Sequence, residues 1–287
     1  MPQLGFNLLN WTASISDDFF PHIERLKKIG YDGIEICMGQ QDPAAYKRLK
    51  QLLHDLNLGI TCVTIVGADA NPISPDKAVR AKAVDLLKWN IDRTHDCGSK
   101  LLCGPFHSAF TTFSRADIQQ AEYERSAEVL RAAGDYAKQA GVMLVPEALN
   151  RFECYLCNTM AQLRMLIELT NHSNVRAMFD THHANIEEKQ QTAAIRTIAP
   201  VLVHVHLSEN DRGTPGSGHI NFPEAIKTLA EVGYDGWMTI EAFSRSDPGF
   251  ANAINVWREF SPAWEIAEKG HTFLRGEIAA AGFGGRK

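Results

Sequence analysis

Eight short apolar runs, each followed by a longer amphipathic stretch, recur along the whole 287-residue chain, and no Pro/Ser/Gly linker or charge block interrupts them. The runs cover residues 4–11, 33–38, 60–67, 100–106, 142–149, 175–182, 201–208 and 237–243. Between them, stretches such as FFPHIERLKKIG and PAAYKRLKQLLHDLNLG place apolar side chains three and four apart and close on glycine, the pattern of a helix with a left-handed cap. Eight β/α units in a chain of this length predict an α/β fold, a single closed (β/α)8 TIM barrel spanning residues 1–287. A doubly wound sheet fits less well, because no GxGxxG turn follows the first run. The tail RGEIAAAGFGGRK, from about residue 276, is rich in Gly and Ala and is expected to fray.

The GYDG segment at 30–33 recurs at 233–236, each time between a helix end and the next run, and reads as a repeated turn at the bottom of the barrel. Glu35 lies two residues past its turn whereas Glu241 lies five past its own, about 10 Å further along a strand. Glu241 is therefore expected at the upper rim and Glu35 below it. With 29 Lys+Arg against 34 Asp+Glu, the chain lacks the basic footprint of a nucleic-acid binder. No apolar run approaches the ~20 residues of a membrane span, and the first residues, MPQLGFNLLNW, lack the marks of a signal peptide, so a cytoplasmic protein is expected. The six cysteines sit in apolar surroundings and are expected to stay free; CYLC at 154–157 has no second CxxC to complete a zinc or redox site.

In such a barrel the active site is built from side chains at the C-terminal ends of the strands. Run five, VMLVPEALN, carries Glu147 near its end; run six, VRAMFDTHHAN, carries Asp180; run seven, VLVHVHLSEN, carries His206; and run eight, WMTIEAF, carries Glu241. One such residue makes a loop hydrogen bond, but four at matching depth on consecutive strands make a site. Three carboxylates and one imidazole suit Mn²⁺, Mg²⁺ or Co²⁺ better than a thiolate-seeking metal. Two glutamates beside one divalent ion suggest proton chemistry next to a carbonyl, through an enediolate.

Other residues carry two readings each. His204 shares a strand face with His206 but lies one layer deeper, where a hydrogen-bonded core histidine is the simpler role. His182 and His183 follow Asp180 and point to opposite sides if the strand continues; one is structural and the other free to touch a substrate hydroxyl. Arg212, in SENDRGTPGSGH, is either a solvated loop charge or a substrate clamp. Gly213, Gly216 and Gly218 in that loop fit a tight turn or, less simply, a phosphate cradle. Phe6, Trp11, Phe106 and His107 are candidates for walling a pocket.

The segments EALNRFECYLCNT, DTHHANIEE, HVHLSENDRGTPGSG and GYDGWMTIEAFSR, with VWREFS beyond them, resemble the D-tagatose 3-epimerase (D-psicose or allulose 3-epimerase) family of xylose-isomerase-like barrels. The resemblance is dense over residues 147–261 and thinner in the N-terminal half, where FNLLNW and CGPFHSAF depart from the family pattern at the end of the pocket that shapes ketose preference. It implies metal-dependent epimerisation of free ketoses at C3. Glu147, Asp180, His206 and Glu241 would bind Mn²⁺ or a similar ion, and Glu147 and Glu241 would be the acid/base pair. Glu153, His183 and Arg212 would contact the sugar near O1 to O3. A homodimer or homotetramer is implied as well. The competing readings are an aldose-ketose or hydroxypyruvate-type isomerase, an inosose dehydratase-like lyase, a barrel nuclease and a non-catalytic sugar sensor.

Overall fold

The computed structural model describes residues 1–39 and 42–283. Its parallel strands are β1 (Gln3–Asn7), β2 (Gly33–Cys37), β3 (Gly59–Val63), β4 (Leu101–Gly104), β5 (Met143–Pro146), β6 (Ala177–Asp180), β7 (Leu202–Leu207) and β8 (Trp237–Ile240). They pair in the order β5-β4-β3-β2-β1-β8-β7-β6. The ring closes between β5 and β6 through Arg176 N–H to Leu144 O at 2.8 Å and Leu144 N–H to Asn174 O at 3.1 Å. Around it run α1 (Phe20–Ile29), α2 (Pro43–Leu56), α3 (Lys77–Asp96), α4 (Gln120–Ala140), α5 (Met160–Thr170), α6 (Thr181–Glu187), α7 (Gln191–Ile198), α8 (Phe222–Glu231), α9 (Pro248–Ala253) and α10 (Ala263–Ala280). The chain is thus the expected eight-stranded parallel barrel with helices between its strands.

Strand alternation sorts the apolar residues into two layers. Leu4, Phe6, Ile34, Ile36, Leu102, Phe179, Val205 and Ile240 face the helices, while Val63, Cys103, Val145 and Met178 fill the barrel interior. The GYDG turns behave as read from the sequence: Gly30 caps α1 at φ 115°, where a Cβ would be strained. Gly33 has a second reason to be glycine, because the Trp237 ring plugs the barrel floor and a Cβ there would meet it at 2.5 Å.

The strands stop earlier at their upper ends than the apolar runs do. Past Asn7 the chain turns into a 3-10 helix, Leu8–Asn10, and past Asp180 it enters α6 directly. The runs remain apolar there because loops over a barrel mouth are themselves buried. Helix α10 continues to Ala280, so the tail expected to fray from about residue 276 begins inside a helix that its Glu277 and alanines sustain. Residues 284–287 lie outside the described ones. All six cysteines are free.

Candidate active site

Asp180 is the last residue of β6 and His206 the penultimate residue of β7, while Glu147 and Glu241 are the first residues beyond β5 and β8. All four are buried, and one donor atom from each lies within 4.8 Å of the others. His206 Nδ1 is 3.4 Å from Glu241 Oε2 and 3.8 Å from both Glu147 Oε1 and Asp180 Oδ2. Neither that nitrogen nor Glu147 Oε1 has a hydrogen-bond partner, although both are buried. Such orphaned acceptors are costly unless something satisfies them, and the three-carboxylate, one-imidazole set fits a divalent cation.

Arg212 closes the same site from the loop after β7. Its Nη1 donates to Asp180 Oδ2 at 3.0 Å and to Glu241 Oε2 at 2.8 Å, and its Nη2 lies 2.9 Å from His183 Nε2. The guanidinium also sits 4.8 Å from the centre of the Phe243 ring. Its backbone is left-handed, with φ 63°, and the Phe243 N–H holds its carbonyl at 3.0 Å. Asn150 Nδ2 donates to Glu153, whose carboxylate lies 3.7 Å from His183 Nδ1.

The carboxylates are poised apart. Burial, reinforced by the charges of Glu241 and Asp180, pushes the Glu147 carboxyl well above the usual range. Burial would also raise Asp180, but Arg212 and then His183 hold it well below. Burial alone would lower His206, yet the Glu35 and Glu241 carboxylates more than offset it and lift the imidazole well above its ordinary value.

A family model described as a xylose isomerase-like TIM barrel matches residues 23–275. A D-psicose 3-epimerase of Ruminiclostridium cellulolyticum is 32% identical over 265 residues, covering 90% of this chain and 89% of that protein. An L-ribulose 3-epimerase of Mesorhizobium japonicum is 31% identical over 261 residues, covering 90% and 88%. A solved structure of L-ribulose 3-epimerase superposes with a TM-score of 0.91 at 31% identity, over 98% of this chain and 96% of that one. The chain belongs to the ketose 3-epimerase family. It is thereby an enzyme of the isomerase class, built on the xylose isomerase-like barrel.

In this epimerase Glu147, Glu153, His183, Arg212 and Glu241 line one cavity, with Asp180 and His206 clustered against Glu147 and Glu241. Its apolar wall includes Leu9, Phe110, Phe243, Phe250 and Ile254. None of Phe6, Trp11, Phe106 and His107, the candidates for walling a pocket, lines this cavity. Phe6 alternates outward and packs on Trp11 and Tyr31, with ring centres 5.1 and 5.4 Å away. Trp11 lies past the strand end against His22 and Trp264. Phe106 is in the outer core, and His107 turns to Cys154 Sγ at 3.6 Å. Helical geometry in α6 separates the two neighbouring histidines: His183 enters the cavity, while His182 Nδ1 donates to Glu209 O at 3.2 Å, and burial holds its pKa down to about 4.

The glycine loop is a turn closed on a carboxylate. Glu209 accepts from the N–H groups of Asn210, Gly216 and Ile220 at 3.0, 2.9 and 3.1 Å, so these donors are already spent. Cys154 packs against Ser108 and His107, and no metal-ligand cluster among the described residues includes it. His204 is a hydrogen-bonded interior histidine, 2.9 Å from Glu35 Oε2. Sequence reasoning set Glu35 below the rim and gave it no role, and it passed over Asn7. The signal was a charge and an amide in otherwise apolar strands, GIEIC and QLGFN.

Proposed function

We propose that the chain epimerises free ketoses at C3, ketohexoses and ketopentoses alike, with a divalent cation held by Glu147, Asp180, His206 and Glu241. The observation that carries this reading is the meeting of two buried glutamates, from β5 and β8, three steps apart around the ring, beside unpartnered His206 Nδ1. A cation bound there, Mn²⁺ by preference and Co²⁺ or Mg²⁺ as alternatives, would polarise the C2 carbonyl and neutralise charge developing on the sugar oxygens. One glutamate takes the C3 proton, which leaves an enediolate, and the other returns a proton to the opposite face. Arg212, His183 and Glu153 hold the oxygens flanking the reacting carbons, and Arg212 offsets the negative charge that accumulates there. The wall of Leu9, Phe110, Phe243, Phe250 and Ile254 keeps water from the enediolate.

The names of the relatives support psicose and ribulose skeletons as substrates. Phe113, Phe152 and Trp257, exposed on loops at the barrel mouth, support a homodimer or homotetramer. No helix among the described residues is long and apolar enough to cross a membrane. Incubation with D-psicose, D-tagatose and L-ribulose plus Mn²⁺, followed by NMR of the products, tests the reading. C3 epimers are the expected result; aldoses or a dehydrated ketone would place the chain with the isomerases or lyases instead.

A further inference from the structure

Glu35 does not line the cavity, yet an apolar barrel interior has no need of a carboxylate. It is wholly buried in β2, one layer below the four candidate ligands, and both of its oxygens face donors. Oε1 accepts from Asn7 Nδ2 at 2.8 Å and lies 2.8 Å from His206 Nε2, a contact too bent for a full hydrogen bond. Oε2 accepts from Thr61 Oγ1 at 2.8 Å, lies 2.9 Å from His204 Nε2 and also takes the Cys103 thiol at 3.4 Å. His206 is thus held from below at one ring nitrogen while the other faces the three carboxylates above. Asn7 is itself fixed, since its Oδ1 accepts from Leu9 N at 2.9 Å, and its Nδ2 also reaches Glu241 Oε1 at 3.3 Å.

We propose that Glu35 is the positioning residue of this centre: its carboxylate keeps the proton of His206 on Nε2, so that the Nδ1 lone pair is offered to the cation, and Asn7 relays its position to Glu241. The proposal rests on reading Glu147, Asp180, His206 and Glu241 as the ligand set. An imidazole without an acceptor below is free to carry its proton on Nδ1 and to present an N–H to the cation. A carboxylate partner also makes the ligating nitrogen more basic. The purely structural alternative, a carboxylate that only ties β1, β2, β3, β4 and β7 together, predicts lost stability without a change in metal affinity.

Calorimetric titration of Mn²⁺ into metal-stripped protein separates the two, with circular dichroism and melting of each metal-free variant. Glu35→Gln should bind Mn²⁺ about 10- to 100-fold more weakly than wild type. Thr61→Val, which removes a donor to the other oxygen and leaves the carboxylate against His206, should keep its Kd within about threefold whatever it does to Tm. A readout that needs no variant is ¹⁵N-histidine NMR of the Mg²⁺-loaded wild type, where His206 should carry a slowly exchanging proton on Nε2. Wild-type Mn²⁺ affinity in folded Glu35→Gln, an equal loss in Thr61→Val, or a proton on His206 Nδ1 would each overturn the proposal while leaving the ligand set standing. Failure of the wild type itself to bind Mn²⁺ would overturn the ligand set, and this proposal with it.

Discussion

Arg212 Nη1 donates to Glu241 Oε2 at 2.8 Å, and so fastens the loop after β7 to the end of β8 inside the site. The same nitrogen reaches Asp180, and Nη2 reaches His183, so the fork spans three groups. A lysine ammonium has no such fork. Arg212→Lys should therefore lower kcat/KM at least about tenfold, ~1.4 kcal/mol in barrier, and Arg212→Ala should lower it further by removing every guanidinium contact in the site. Steady-state kinetics on D-psicose measure this; unchanged efficiency in Arg212→Lys would return Arg212 to the role of a loop charge.

Cation uptake should expel protons. Burial raises Glu147, and the Glu35 and Glu241 carboxylates raise His206 against its burial, so a cation competes with protons at both groups. Affinity for Mn²⁺ should fall as pH falls, with the weakening already under way above the ordinary histidine range. Titrations in buffers of different ionisation enthalpy count the released protons, and a count of zero would contradict the two shifts. Removal of the cation with EDTA should abolish turnover, and Mn²⁺ or Co²⁺ should restore it.

Free ketoses should be preferred to their phosphates. The Gly216 N–H closes on Glu209 and the Gly213 N–H on Asp211 Oδ1, so neither is available to a phosphate. A comparison of kcat/KM for D-psicose and a ketose phosphate decides it, and a clear preference for the phosphate would refute this account of the loop.

The barrel and its reacting residues were legible because they combine two strong signals. Short apolar runs between amphipathic stretches set the strands, and Glu147, Asp180, His206 and Glu241 are polar residues that those runs have no structural reason to carry. Arg212, His183 and Glu153 needed the family resemblance, since a loop residue's direction is set by turns such as the left-handed Arg212 backbone, which periodicity does not encode. The pocket wall was misread for a related reason. Phe6 is one residue from Asn7, and that single step decides between the helix layer and the barrel interior. The distance from Glu35 to the site was also misjudged, because residue counts along one strand ignore the stagger between strands, and Asn7 Nδ2 touches both Glu35 and Glu241.

The central claim is proton exchange at C3 by two glutamates, and turnover of D-psicose in D₂O with Mn²⁺, read by NMR, tests it most directly. Each epimerised product molecule should carry deuterium at C3, because the carboxylate that delivers the new proton is not the one that took the old. Glu147→Gln and Glu241→Gln should keep bound Mn²⁺ through the amide oxygen and lose at least about tenfold in rate. Products that retain their C3 hydrogen, with the carbonyl moved from C2 to C1, would instead show hydride transfer between those carbons and contradict the account.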